Sequence, residues 1–301
     1  MLAGTHQARG IDAAHDVVET APMTTRPVAL VKVGGEVVDD LDHLAGLAVN
    51  LVDLRAAGYD VVVVHGGGPQ VTALQTALGH TAVKVAGQRV TSRADLFAVT
   101  ACLAGVVNVT LCAALVKAGL PAFGCHGASA GIIGATKRPP LQVRDHGVVD
   151  YGEVGDIVDV DTAPLRALLA AGCVPVVATL GIDRAAGRVL NINGDTAAAA
   201  VAWALSARLV LLVTAVGGVF GDRHDPTTRL EHLTTSQARA LIASGVIVDG
   251  MIPKVEEALG LLTTSSRQGA DTTAIISAKA AGAFAAVVAG DPAHGTRFVA
   301  G

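Results

Sequence analysis

Lys32, Asp195 and Lys254 are the residues whose type and setting most need a chemical explanation. Lys32 lies near the end of an otherwise apolar run, 28–33, directly before Gly34 and Gly35. A lysine in a buried strand is costly unless an anion meets it; the alternative is an ammonium that reaches water at the strand end. Lys254 follows Pro253 in the first turn of a helix opened by Gly250 and Met251, where a cation opposes the helix dipole. An anionic partner removes that conflict, and solvation of the lysine is the competing account. Asp195 stands between Gly194 and an Ala-rich helix, a position that N-capping alone explains. A fourth stretch, Val61-Val-Val-Val-His-Gly-Gly-Gly-Pro-Gln-Val71, leaves backbone N–H groups bare at Gly66, Gly67 and Gly68 where a helix begins at Pro69. Such a turn is an anion site, unless it is only a tight strand-to-helix connection. It is not a Walker A loop, because no Gly-Lys-Ser/Thr occurs. A dinucleotide fingerprint wants Gly or Ala at Val71 and an acid about 20 residues on, and Asp95 comes several residues late. The loop calls for an anion and leaves it unnamed.

The elements that must hold these residues alternate between strand and helix patterns. Leu41, Leu44, Leu47, Ala48, Leu51 and Leu54 mark one helical face that stops at Gly58, and Val71, Leu74 and Leu78 mark another that stops at Gly79. A hairpin is expected over 80–92, a strand at 122–125, and short strands around Tyr151 and Ile157 within an irregular stretch, 126–164. A helix over 165–171, a buried strand over 174–180 and an Ala-rich helix through Ala204 follow. Then come a strand over 209–216, a helix capped near Thr234 and Thr235, the helix from Gly250, and last strands at 273–278 and 284–289. This order predicts an α/β fold with a mostly parallel sheet and helices on both faces.

Composition narrows the class. The 301 residues are 51% hydrophobic but only 3% aromatic, so the core must be built from Ala, Val, Leu and Ile. A net charge of −4 without a basic cluster argues against nucleic acid. Cys102, Cys112, Cys125 and Cys173 show no metal spacing and read as buried thiols of a reducing compartment. The N-terminus lacks a signal-peptide pattern, and Ile11, Ala14, Val17, Val18 and Ala21 suggest a short helix ended by Pro22. The stretch 96–116 has no charge and is long enough to span a membrane. The βα pattern on both sides points instead to a helix buried in the core or in a subunit interface.

Five segments occur in one order: Lys32-Val-Gly-Gly35, His65-Gly-Gly-Gly-Pro-Gln70, Arg89-Val-Thr91, Asn191-Ile-Asn-Gly-Asp-Thr-Ala-Ala198 and Gly250-Met-Ile-Pro-Lys-Val-Glu256. Together, across 28–301, they resemble the amino acid kinase family, most closely its members that act on N-acetylglutamate. The resemblance implies a three-layer sandwich around a largely parallel sheet, and ATP-dependent phosphorylation of the side-chain carboxylate of N-acetyl-L-glutamate, early in arginine biosynthesis. It implies an N-terminal extension, 1–27, with an oligomerisation helix; a lobe over 28–190 with the amino-acid substrate and a dimer interface; and a nucleotide lobe over 191–301. Residue by residue, it assigns the substrate to Gly67, Gly68, Arg89 and Asn191, and the transferring phosphoryl group to Lys32 and Lys254, with Asp195 positioning both lysines. Gly34, Gly35, Thr214 and Lys254 fall on the nucleotide, with Mg²⁺ carried on its phosphates. A cytoplasmic homo-oligomer, a dimer or a ring of dimers, without nucleic-acid or membrane partners, completes the expectation. Kinases of acetylaminoadipate or succinylglutamate, or a catalytically weakened paralogue acting as a ligand-binding regulator, are the alternatives. The sequence departs from the family pattern at Thr214-Ala215-Val216, His126-Gly-Ala-Ser-Ala-Gly131, Gly105-Val-Val-Asn108 and Asp249-Gly-Met251.

Overall fold

The computed structural model describes residues 26–248, 250–263, 270–291 and 293–299. Eight strands form the central sheet, in the order His232–Thr234, Thr296–Val299, Thr272–Ile276, Leu209–Val213, Val28–Val33, Asp60–His65, Val174–Ala178, Ala122–His126. All neighbours run parallel except Thr272–Ile276 and Thr296–Val299. The four middle strands, from Leu209–Val213 to Val174–Ala178, are buried along their whole length. That is why they read as continuous apolar runs and not as alternation.

Side chains alternate across the sheet, and the two faces have separate cores. Ala29, Val31, Val33, Val61 and Val63 pack on one side against the helix Leu41–Ala56, Leu111, Leu115 and Phe284. Leu30, Val62, Val64, Val210 and Leu212 pack on the other against Val201, Leu205, Val255 and Leu259. The result is the three-layer α/β sandwich expected. Period two also fixes the direction of Lys32: it shares the face of Leu30, toward the helices Gly194–Leu205 and Met251–Thr263. A smaller sheet, ordered Arg188–Asn191, Leu180–Asp183, Ile133–Lys137, Gly155–Val160, lies beside the main one.

Several expectations need correction. Residues 284–289 belong to a helix, Ala283–Ala289, because Gly282 and Gly290, both at positive φ, bracket an alanine-rich turn. The strand that follows is Thr296–Val299. The run 174–180 breaks at Thr179: Val174–Ala178 stays in the main sheet and Leu180–Asp183 enters the small one. Tyr151 lies outside any strand, its carbonyl accepting from Thr91 N–H at 2.9 Å. The strand at 209 ends at Val213, where Gly217 N–H bonds Thr214 Oγ1 at 3.0 Å and turns the chain. All four cysteines are free thiols, but only Cys102 and Cys125 are buried; Cys112 and Cys173 are half-buried. The stretch 96–116 lies in one long helix, Arg93–Lys117, whose middle, Ala101–Val107, is π-helical. By length and composition it is the one helix among the described residues able to cross a membrane, with 39% of its most apolar window buried. The helix expected over 11–21 lies outside the described residues.

Candidate active site

The site lies where parallel strands end, the usual place for ligands in open α/β sheets. Val28–Val33 and Asp60–His65 each deliver a glycine loop there. The two loops are pressed together. A Cβ on Gly35 would stand 2.6 Å from Gln70 Oε1, 2.9 Å from Pro69 Cδ and 3.0 Å from Gly67 Cα. Gln70 Nε2 donates to Gly35 O at 2.6 Å and ties them. From the other side the π-helical stretch closes in, since a Cβ on Gly67 would meet Leu103 Cδ2 at 2.7 Å and Val107 Cγ2 at 3.0 Å. Gly66 N–H donates to Val33 O at 3.2 Å, so it is not bare; the anion-facing role falls to Gly67 and Gly68, which open the helix Gly68–Ala77.

Gly67, Gly68, Arg89 and Asn191 line one cavity of about 200 Å³. Arg89 reaches it from the hairpin Lys84–Val85 and Gln88–Arg89 and is held on the helix Gly68–Ala77. It donates to Gln75 Oε1, to Thr72 Oγ1 at 2.7 Å and to Gly68 O at 2.9 Å. Asn191 Nδ2 donates to Thr91 Oγ1 at 3.0 Å. Beneath the loop, Asn108 from the long helix bonds His65 Nε2 at 3.0 Å and Val176 O at 2.8 Å, while His65 Nδ1 meets Gly66 O at 2.8 Å. Those bonds fit a neutral imidazole with its proton on Nδ1. Burial pushes its pKa down to about 4.

A larger cavity, about 880 Å³, shares Gln88 and Asn193 with the first and is lined by Asp195, Trp203, Pro253 and Glu257. Asn193, not Asp195, caps the helix Gly194–Leu205, accepting from Asp195 N–H and Thr196 N–H. The Asp195 carboxylate is thereby free to pair with Lys32, and it does. Lys32 is buried, and burial alone would lower its pKa. Glu257 and Asp195 outweigh that and hold it above the usual lysine value. Lys254 Nζ donates to Gly250 O at 3.4 Å. Among the described contacts Asp195 therefore holds Lys32 and not both lysines. Gly34 and Gly35 begin the short helix Gly35–Asp39 beside Lys32, and buried Thr214 uses its hydroxyl in its own turn.

The residue sequence reasoning missed is Glu257, whose side chain is 5% exposed and lies 3.8 Å from Lys32 Nζ. Its signal was present: it follows Lys254 by three positions, on a helix whose neighbours Val255, Ala258 and Leu259 are all buried.

The model of the amino acid kinase family matches residues 27–268, and the chain belongs to that family. Acetylglutamate kinase of Sorangium cellulosum is 47% identical over 251 residues, covering 82% of this chain and 88% of that protein. Acetylglutamate kinase of Methanocella arvoryzae is 37% identical over 259 residues, covering 82% and 86%. Among solved structures, smu.665 of Streptococcus mutans superposes with a TM-score of 0.70 at 28% identity, over 91% of this chain and 99% of that one. The fold is also that of Giardia carbamate kinase, with a TM-score of 0.62 at 17% identity, over 92% of this chain and 100% of that one.

Proposed function

We infer that this chain is an acetylglutamate kinase, which phosphorylates the side-chain carboxylate of N-acetyl-L-glutamate from ATP in arginine biosynthesis. The observation that carries the reading is the convergence of Gly67, Gly68, Arg89 and Asn191 on one cavity that adjoins the Lys32–Asp195 pair.

The chemistry suits this set. The attacking carboxylate has a pKa of about 4.3 and is ionised at neutral pH, so no general base is needed. Its oxygen forms the bond to the γ-phosphorus, the bond to the β,γ-bridging oxygen breaks, and ADP leaves. Catalysis then consists of alignment and charge neutralisation. Gly67 and Gly68 N–H groups and the Arg89 fork hold the substrate, whose α-carboxylate suits a guanidinium better than an ammonium. Asn191 closes that pocket. Lys32 and Lys254 reach the transferring group from two sides, with Asp195 fixing Lys32. Gly34 and Gly35 offer backbone to the phosphates, and the turn at Thr214 borders the nucleotide. The closeness of Gly35 to Pro69 and Gly67, where no side chain fits, supports a cradle of bare backbone. Mg²⁺ rides on the phosphates and water, and among the described residues no three His, Cys, Asp or Glu side chains gather to hold it.

In this reading 28–190 is the substrate lobe and 191–301 the nucleotide lobe, and the free thiols support a cytoplasmic setting. The protein is a homo-oligomer joined through the long helix, which leaves Phe97, Val106, Val109 and Val116 exposed beside Phe123. A coupled assay of ADP release with acetylglutamate, acetylaminoadipate and succinylglutamate tests the activity. Acetylglutamate is the preferred substrate, and a preference for either of the others overturns the assignment. Sedimentation as a monomer overturns the oligomer.

A further inference from the structure

Glu257 is the one group near the reacting centre whose state the chemistry above leaves undetermined. Neither of its carboxylate oxygens has a hydrogen-bond donor. Lys32 Nζ, at 3.8 Å, is too far for a hydrogen bond and already bonds Asp195. The neighbour within hydrogen-bond reach is the Asp195 carboxylate, an acceptor like itself, while Lys254 on the same helix acts on it through charge alone. Two carboxylates thus share one ammonium in a pocket where the Glu257 side chain is 5% exposed. If both are ionised, the group carries a net negative charge at the point where phosphates must bind. One proton removes both difficulties, because a neutral Glu257 becomes a donor to Asp195.

We propose that Glu257 is a positioning residue that holds a proton and donates it as a hydrogen bond to Asp195. In this way Asp195 stays aimed at Lys32, and the nucleotide phosphates meet a neutral Lys32–Asp195 pair. The proposal rests on the phosphoryl-transfer reading above. The charged groups around Glu257 come from every packed element. Lys32 lies on Val28–Val33, Asp195 on Gly194–Leu205, Lys254 and Glu256 on its own helix, Asp159 across the cavity, and Glu36 acts on Lys32 from Gly35–Asp39. Burial is the largest influence on Glu257, and Asp195 adds to it against the pull of Lys32 and Lys254; the pKa is pushed up to about 8. When Glu257 ionises it competes for Lys32 and repels the nucleotide. Incoming phosphates raise its pKa further, so nucleotide binding above that pH draws a proton from solvent.

The test uses the full chain and two readouts. In the first, kcat/KM for ATP is compared between wild type and Glu257→Gln, whose amide is neutral at every pH and still donates to Asp195. One pH unit above its pKa, about a tenth of Glu257 keeps its proton. The ratio of the Gln variant to wild type therefore rises about tenfold from pH 7 to pH 9. Glu257→Ala, with no donor, falls below Glu257→Gln at pH 7. A ratio that does not change with pH, or an alanine variant equal to the glutamine one, overturns the proposal. In the second readout, Mg²⁺ with a non-hydrolysable ATP analogue is titrated calorimetrically at pH 8.5 in buffers of different ionisation enthalpy. Wild type takes up about half a proton or more and Glu257→Gln takes up none; equal uptake, or none in wild type, overturns it. Calorimetry needs no turnover. An enzyme inactive on acetylglutamate at pH 7 thus counts against the function, while the proton count still decides the role of Glu257.

Discussion

The two cavities that meet at Gln88 and Asn193 hold their polar groups in opposite ways. Around the glycine loop nearly every group is tied to another before a ligand arrives. Arg89 is fixed by Gln75, Thr72 and Gly68, Gln75 also bonds Asp95 at 2.6 Å, and Asn191 is fixed by Thr91. Beside the lysines, charge is buried with fewer partners than it needs: Lys32 has Asp195, and Glu257 has no donor. On the proposed function, the first region is a rigid mould for a carboxylate substrate, and the second answers to the negative charge that arrives and moves in phosphoryl transfer. Damage to the first should appear mainly in substrate KM, and damage to the second in kcat.

The largest expected effect is on the lysine side. Lys32→Ala and Lys254→Ala each lower kcat by about 10²-fold or more, the scale for losing one charge-stabilising donor, with a smaller change in KM for acetylglutamate. Lys32→Ala also leaves the half-buried Asp195 and the buried Glu257 without the ammonium they share. Steady-state kinetics of both variants decide this, and near-full kcat in either removes that lysine from the phosphoryl group.

The same contrast explains what the sequence allowed to be read. The parallel core was legible because Val61–Val64 and Leu209–Val213 are buried on both faces and flanked by glycine turns. The glycine loop was legible because Pro69 suits only the start of its helix. Lys32 was legible as a misfit, an ammonium inside an apolar strand. Glu257 was legible only in part: its spacing from Lys254 and its apolar neighbours were there to read. Its meeting with Lys32 depends on how the helix Met251–Thr263 rotates against Val28–Val33 and Gly194–Leu205, a tertiary fact. The capping role given to Asp195 fell to Asn193 for a related reason, as either residue can cap and only the backbone decides. At 284–289 two valines suggested a strand, while the positive φ of Gly282 and Gly290 made it a helix. The π-helical stretch, whose Leu103 and Val107 close on Gly67, left no mark in composition.

A second prediction probes the support under the rigid mould. His65 is buried neutral, with its pKa about 4 against an ordinary 6.5. Between those values the unfolded chain binds a proton that the folded one does not. Stability is therefore full above about pH 6.5 and falls as pH drops toward 4, by up to about 3 kcal/mol. His126, also pushed down by burial, acts in the same direction. Asp95, held near 2 by bonds from Ser92, Gln75 and His80 that outweigh its burial, changes only below this window. Glu257, with its pKa pushed up to about 8, acts in the opposite direction between pH 7 and pH 4.5. The loss is therefore read from urea midpoints of Glu257→Gln at the two pH values, and adding His65→Gln removes most of it. Equal midpoints of Glu257→Gln at the two pH values exclude a buried neutral imidazole.

The smallest effect separates shape from charge in the mould itself. Arg89→Lys keeps a cation but loses the planar fork that bonds Gln75, Thr72 and Gly68 while still facing the cavity. An ammonium has three donors on one atom, and pairing with Gln75 or Thr72 draws it away from the substrate. The loss is of one charge-assisted contact, about 1.5 kcal/mol or more, which corresponds to roughly a tenfold rise in KM for acetylglutamate. On the proposed function Arg89 binds a part of the substrate whose charge does not change in the reaction, so ground state and transition state lose the contact equally. Then kcat should stay within about threefold and KM carry the effect. A fall in kcat like that of the lysine variants, with KM unchanged, would move Arg89 to the phosphoryl side and erase the division between the two cavities.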